Sequence, residues 1–191
     1  MAREYELKYR ADAAAIAAIQ EKYGGFAPIT METTYFDTPD LKLAFHHWML
    51  RRRLENGESV VTFKRPLEDG SRAEWEVKNE SVMMGILELC RQGAPAELMR
   101  CTAGGVMPMC GAKFTRLAAT LEIAECTIEL ALDQGVFTGA KGEQPFAEVE
   151  VELKSGIEIA AVAFAENLAR EFALEPEPKS KVQRAFAMAI Y

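Results

Sequence analysis

The sequence is poor in the residues that mark many common sites. It holds two histidines and four cysteines in 191 residues. Cys90, Cys101, Cys110 and Cys126 are scattered, with no Cys-x-x-Cys pair and no histidine nearby, so neither a zinc centre nor a disulfide framework is indicated. They read as reduced, mostly buried thiols. His46 and His47 are adjacent; on a strand they would point to opposite faces and could not chelate one ion together, so they read as surface residues. There is no glycine-rich phosphate loop and no spacing that suggests a nucleophile triad. No apolar run approaches the roughly 20 residues of a membrane span. The N-terminus lacks the basic start and apolar segment of a signal peptide, so a cytoplasmic location is expected. Basic charge is also in deficit, with 22 Lys and Arg against 29 Asp and Glu and a net charge of -7. That argues against general binding to nucleic acid, while a local basic cluster for a small phosphate ligand stays open.

What the sequence does have is a repeated alternation. With 49% hydrophobic and 27% charged residues, the chain reads as one soluble domain over residues 1–191. In the opening stretch Glu4, Glu6, Lys8 and Arg10 share one face of a strand, and Tyr5, Leu7 and Tyr9 the other. The same two-faced pattern returns at least four times. Arg51 and Arg53 oppose Leu50, Arg52 and Leu54. Val60, Thr62 and Lys64 oppose Val61 and Phe63. Arg72, Glu74, Glu76 and Lys78 oppose Ala73, Trp75 and Val77. Glu148, Glu150, Glu152 and Lys154 oppose Val149, Val151 and Leu153.

Taken in order, Asp12 caps a helix over 13–23 that Gly24-Gly25 stops. A strand at 30–37 leads to a turn at Asp37-Thr38-Pro39-Asp40, and strands at 48–55 and 59–65 join through Asn56-Gly57. A turn at Glu68-Asp69-Gly70 introduces a strand over 71–78. Helical pieces at 82–90 and 96–101 give a cover without evident chemistry. Strands follow at 113–119, 121–125 and 127–133, where Ile128, Leu130 and Leu132 oppose Glu129, Ala131 and Asp133. Gln134-Gly135 reads as a turn before a loop at 138–145. The strand 147–154 and helices at 158–172 and 179–191 end the chain. Lys181, at the start of the last helix, is electrostatically ill placed there and so reads as set for a ligand.

About eight strands with short connections fit an α+β fold built on an eight-stranded antiparallel β-barrel. With apolar residues outside under helices, the charges fall inside and make a tunnel. Three carboxylates in a row at 148, 150 and 152 repel one another, so something positive must face them. Hard cations such as Mg²⁺ or Mn²⁺ take oxygen ligands and share them with phosphates. Glu4, Glu6, Asp133, Glu148, Glu150 and Glu152 supply one side of such a site. Lys8, Arg51, Arg53, Lys64, Arg72, Arg116 and Lys181 supply the other. Taken one strand at a time, such charges read as solvated faces with cross-strand ion pairs; their repetition favours an enclosed site.

Glu4-x-Glu6-x-Lys8 resembles the ExExK motif of the CYTH superfamily, the triphosphate tunnel metalloenzymes. Tyr35 to Asp40, Leu50-Arg51-Arg52-Arg53, Thr62-Phe63-Lys64, Arg72-x-Glu74-x-Glu76, Phe114-Thr115-Arg116, Ile128 to Gly135, Glu148-x-Glu150-x-Glu152 and Ser180-Lys181 match in order. Val61 departs from the Trp that many members carry there, and 80–110 matches nothing specific. The resemblance is nearest to the bacterial inorganic triphosphatases. It implies a single CYTH domain without the helical CHAD domain of some relatives, and metal-dependent hydrolysis of triphosphate in the tunnel. Class IV adenylate cyclase, thiamine triphosphatase and a non-catalytic polyphosphate- or nucleotide-binding module are the alternatives. Glu4, Glu6, Asp133, Glu148, Glu150 and Glu152 would hold Mg²⁺ or Mn²⁺. Lys8, Arg51, Arg53, Lys64, Arg72, Arg116 and Lys181 would hold phosphate, with Lys8, Arg53, Lys64 and Arg116 stabilising the transferring group. Glu74, Glu76 and Tyr35 would support them. The implied partner is a small triphosphate, with no nucleic acid or membrane; a homodimer is compatible with the sequence.

Overall fold

The computed structural model describes residues 2–68 and 71–189, with side chains from Tyr5 onward. Its elements are β1 (Ala2–Glu4), β2 (Glu6–Arg10), α1 (Ala13–Tyr23), β3 (Ala27–Asp37), α2 (Lys42–Phe45), β4 (Met49–Glu55), β5 (Glu58–Pro66), β6 (Arg72–Lys78), α3 (Val82–Arg91), α4 (Ala96–Cys101), β7 (Met107–Ile123), β8 (Cys126–Gly139), β9 (Gly142–Gly156), α5 (Glu158–Glu171), β10 (Glu175–Pro176) and α6 (Lys181–Phe186). All ladders are antiparallel, in the order β1-β6-β5-β4-β3-β7-β8-β9-β2-β10.

That order is linear, yet its two ends belong to one stretch of chain. β1 pairs with β6, β2 pairs with β9, and only Tyr5 lies between them. The Tyr5 carbonyl accepts from Leu153 N–H at 3.0 Å. The N-terminal stretch thus carries the sheet from β6 round to β9 although the hydrogen-bonded ladder is not a closed ring. Counting β1 and β2 as one stave and setting aside the two-residue β10 gives the eight strands that the alternation predicts.

The apolar faces are buried where the pattern puts them. Ile128, Leu130, Leu132, Val149 and Val151 pack with Ile16 and Ile19 of α1 and Ala161, Ala165 and Leu168 of α5. Leu50, Val61, Phe63, Ala73, Trp75 and Val77 pack with Leu43 of α2, Ile86 and Leu89 of α3 and Leu98 of α4. Residues 82–101 are therefore the helical cover expected of them. Asp12 caps α1 by accepting from Ala15 N–H at 2.8 Å, and Asn56 and Gly57 take the positive φ values of a tight hairpin turn.

The last helix is placed differently. Ala185, just beyond it Met188 and Ala189, pack against Tyr35, Ala112, Phe114 and Phe137, and Phe114 shares its face of β7 with Arg116. So α6 covers part of the charged face while the other helices cover the apolar one. It is also shorter than predicted, ending at Phe186; Ile190 and Tyr191 lie outside the described residues, as do Asp69 and Gly70 of the predicted turn.

The strands after 106 also differ from expectation. β7 runs unbroken through the two strands predicted at 113–119 and 121–125, and β8 passes straight through Gln134-Gly135. Glycine at 135 serves close approach instead of a turn. A Cβ there would lie 2.1 Å from the Lys113 carbonyl oxygen and 2.5 Å from Phe114 Cα, and backbone cannot swing aside as a side-chain end can. We expect Gly135→Ala to lose about 2–3 kcal/mol of stability through overpacking, read as a lowered urea midpoint with the slope unchanged; a wild-type midpoint would show that the two strands separate without cost.

Candidate active site

Every long strand sends side chains into one cavity of about 310 Å³. Eight cationic side chains line it, Lys8, Arg51, Arg53, Lys64, Arg72, Arg116, Lys154 and Lys181, with seven glutamates, at 6, 55, 74, 76, 129, 150 and 152. All seven cations assigned from sequence are among them. Of the six predicted metal ligands, Glu6, Glu150 and Glu152 line the cavity. Asp133 and Glu148 do not: they are fully buried behind it. The Glu4 side chain lies outside the described residues.

The charges sort into three groups. In the deepest, oxygens of Asp133, Glu148 and Glu150 lie within 4.8 Å of one another. Asp133 and Glu148 are direct cross-strand neighbours on β8 and β9, so two like charges face each other. Three cations answer three carboxylates. Lys181 Nζ is 2.7 Å from both Asp133 and Glu150 and also bonds Glu148. Arg116 donates to both Asp133 oxygens at 2.8 Å and to Glu150. Arg184 bonds Glu148 and lies 3.8 Å from Glu177. Burial would raise the Glu150 carboxyl, but Lys181 and Arg116 hold it well below the usual carboxylate range. At Glu148 burial prevails and pushes the carboxyl up. Burial likewise opposes the charge on Lys181, and the carboxylates at 133, 150 and 148 raise it nonetheless.

A second group is a row across three strands. Glu6 of β2 sits opposite Glu152 of β9, which sits opposite Glu129 of β8. Lys8 lies 3.5 Å from Glu6, and Lys154 lies 3.0 Å from Glu152 and 3.7 Å from Glu129. These carboxylates are part-exposed and face the cavity.

The third group is basic. Lys64 lies 3.2 Å from Glu74, and Arg51 lies 3.4 Å from Glu76 and 3.9 Å from Glu74. Thr62 donates to Glu76 at 2.8 Å. Burial would raise the Glu76 carboxyl, but Arg51 and Thr62 together hold it below its ordinary value. So Glu74 and Glu76 do support the basic set. Arg53 differs: it is 5% exposed, donates to the neutral Thr33 hydroxyl at 2.9 Å and lies over the Phe114 ring at 5.6 Å. Its nearest carboxylate, Glu55, is 3.7 Å away and more exposed. Burial, and then Arg51, lower the Arg53 pKa to about 10. Tyr35 is buried beside it, and burial raises its phenol. Such a cation, held by neutral groups, favours an incoming anion.

Sequence reasoning passed over four charged residues of the site, of which Glu55 follows Arg51 and Arg53 on one face of β4. Glu129 shares the face of Asp133 by simple alternation. Arg184 stands three residues after Lys181 on one helix and so on the same side. Lys154 continues the glutamate face of β9. His46 and His47 are exposed, as expected. Cys110 and Cys126 are buried and Cys90 and Cys101 half-buried, all reduced; burial pushes the Cys110 thiol up to about 12, where it is unreactive.

The deepest group generates a test. Removing one partner of a buried ion pair costs about 3–5 kcal/mol because the remaining charge is stranded, so Lys181→Met should destabilise the protein by about that much at neutral pH. Glu150 has a depressed folded pKa; its stabilisation is present above the unfolded value of about 4.3 and fades as pH falls below it. The gap between variant and wild type should therefore narrow on acidification. A gap that is small at pH 7, or that stays constant as the pH falls from about 4 to about 2, would mean that these carboxylates do not depend on Lys181.

Comparison with known proteins agrees with this arrangement. The family model for the CYTH domain matches residues 2–186. An inorganic triphosphatase of Haemophilus influenzae is 29% identical over 166 residues, covering 81% of this chain and 45% of that protein. The chain thus spans less than half the length of that relative. Among solved structures, protein PH1819 of Pyrococcus horikoshii OT3 superposes with a TM-score of 0.65 at 21% identity, covering 96% of this chain and 98% of its own. HpAC1 of Hippeastrum, described as a candidate adenylyl cyclase with a dominant triphosphatase activity, gives 0.64 at 19% identity over 98% and 97%. At these identities the two structures speak for the fold alone.

Proposed function

The chain belongs to the CYTH domain family, and from that premise we propose that it hydrolyses inorganic triphosphate, with water, to diphosphate and orthophosphate in a reaction dependent on Mg²⁺ or Mn²⁺. The observation that carries the reading is the cavity itself, which eight cations and seven carboxylates line together. A cavity lined by cations alone would hold a polyanion firmly; one lined by both signs suits a polyanion together with a cation.

The residues fit a hard divalent ion, because the acidic groups offer only oxygen donors. Glu6, Glu129 and Glu152 are the residues that would hold it, since they face the cavity as a row of like charges, with Glu150 at their inner side. Glu4 belongs to the same proposed set by its place in the ExExK pattern. Asp133 and Glu148 hold Lys181, Arg116 and Arg184 in place. A bound divalent ion would neutralise phosphate charge and make a water more acidic.

The chain's own residues bind and position. Arg51, Arg53, Lys64, Arg72 and Lys8 take the phosphate oxygens; guanidinium groups do so in bidentate fashion and lysines as point charges. Arg53 is fixed in advance by Thr33 and Phe114, so it loses little freedom when an anion arrives. Arg116 and Lys181 stand between the two halves and stabilise charge on the group in transfer. No protein nucleophile is required.

Phosphate release from inorganic triphosphate by the purified chain, with and without Mg²⁺ or Mn²⁺, tests the reading. Glu6→Gln and Arg53→Ala should each lower kcat/KM by about 10²–10³-fold, the size of effect seen when one charge-stabilising group is removed, with circular dichroism and melting little changed for Glu6→Gln. Formation of cyclic AMP from ATP without phosphate release from triphosphate would replace the proposal with a cyclase; calorimetric binding of triphosphate without turnover would replace it with a binding module.

A further inference from the structure

A second cavity, of about 260 Å³, lies beside the first, between α6 and the start of β4. Lys64 and Arg72 line both, so the two share a wall. His47, which also lines the second, is exposed, and the space therefore runs from the tunnel wall to solvent. Half of its lining is polar or charged, and the balance of signs differs from that of the tunnel. Against Lys64, Arg65 and Arg72 it sets one carboxylate among the described residues, Asp37. That carboxylate is already spent. Its Oδ1 accepts from the backbone N–H of Thr38 at 2.7 Å and of Leu43 at 2.9 Å, and its Oδ2 from that of Ala44 at 2.9 Å. The tunnel offers carboxylates for a metal ion as well as cations for an anion; this cavity offers the cations alone.

Its donors also lack acceptors. Arg65 and Arg72 form no ion pair among the described residues. The Arg65 guanidinium lies 5.9 Å over the Trp75 ring, and its Nε is buried without a hydrogen-bond partner among the described residues. Its longer-range acidic neighbour, Glu97 of α4, is exposed and bound to Arg100. A buried donor left unmade is costly, and an incoming acceptor removes that cost. Gln183 spends its Oε1 on Ser180 in the helix cap, which leaves its Nε2 hydrogens as donors at the same cavity. Phe36, Trp48 and Phe186 complete the walls. Apolar walls screen little, so the field of the cations is concentrated in the space between them. This is the chemistry of a site for a small oxyanion, and the volume admits one together with waters, each of which takes roughly 30 Å³ in the liquid.

We propose that the second cavity is an orthophosphate site beside the tunnel, which the phosphate set free by hydrolysis enters across the wall of Lys64 and Arg72 and leaves towards His47. Cleavage turns one bound anion into two, and these repel each other. The acidic row of the tunnel repels a free anion too, whereas the second cavity presents donors. The role in release rests on the reading of the tunnel as a triphosphate site; the anion site itself stands on the charges and donors that line it.

Initial rates of inorganic triphosphate hydrolysis, read as diphosphate release with orthophosphate added over a range of concentrations, test it. Arg65→Gln removes a donor and Ala44→Phe fills the cavity; both residues line the second cavity and not the tunnel. Orthophosphate that met only the tunnel would compete with triphosphate and leave kcat unchanged. At a separate release site it should lower kcat as well, because an occupied cavity holds back the departing product. In both variants the inhibition constant for that effect on kcat should rise about tenfold or more, the scale of one lost charged hydrogen bond, while kcat/KM without added phosphate stays within about twofold. Purely competitive inhibition of the wild type overturns the proposal, as does an effect on kcat that neither variant alters. If the wild type hydrolyses no triphosphate, the tunnel reading falls and the role in release with it. Calorimetric titration with inorganic phosphate then decides the site alone: binding weakened about tenfold in Arg65→Gln supports it, and binding that is absent, or equal in the two proteins, overturns it.

Discussion

The structure depends on the pairing of Asp133, Glu148 and Glu150 with Arg116, Lys181 and Arg184. Three carboxylates at this depth would not stay ionised alone, because the loss of hydration far exceeds what neutral surroundings return. Asp133 and Glu148 are, besides, direct neighbours across β8 and β9. Two of the three cations that offset them arrive on one short helix, α6, from the far end of the chain. The ion pairs therefore do more than satisfy local charge. They dictate that the last helix lies on the charged face of the sheet while the other helices cover the apolar face, and so they close part of the cavity that the strands form.

The helix is well suited to that place. Its reciprocal cap between Ser180 and Gln183 satisfies its first amides locally, and Lys181 follows at once, where a cation is disfavoured by the helix dipole. The carboxylates override that preference by a wide margin, since they raise Lys181 despite its burial. Phe114, Phe137 and Phe146 add ring faces to Lys181 and Arg184, the nearest at 4.9 Å. An apolar patch and an ionic cluster thus hold the same six residues.

The sequence made the strands and their facing legible because a strand has a period of two, and the charged and apolar residues kept to it over six segments. Reading Arg51 and Arg53 inward and Arg52 outward needed nothing else; Arg52 indeed bonds the Glu80 carbonyl on the outer side. Helix ends were legible where a cap was recognised, as at Asp12; the last helix, read as starting at 179, begins at Lys181 behind a Ser180 cap. Two features were not. Gly135 looked like a turn because glycine's tolerance of odd backbone angles and its lack of a Cβ give the same letter, and only the packing of Phe114 tells them apart. The division of the acidic residues was also hidden. Alternation places Glu129, Asp133, Glu148, Glu150 and Glu152 on one face, but it does not say which of them α6 will cover, since that is decided by a contact more than thirty residues distant.

That division bears on chemistry. Carboxylates already bound to lysine and arginine are poor partners for a metal ion, because the ion would have to displace a cation that three neighbouring carboxylates favour despite its burial. Glu6, Glu129 and Glu152 have weaker hold on their lysines, at 3.0 to 3.7 Å and with more access to solvent. On the opposite wall Arg53 has the converse condition, a buried positive charge resting on a hydroxyl and a ring. A row of part-exposed carboxylates facing an under-compensated guanidinium is an arrangement whose field is relieved by placing a cation at one end and an anion at the other. The unequal way in which the chain compensates its own charges gives the proposed cation and anion their places.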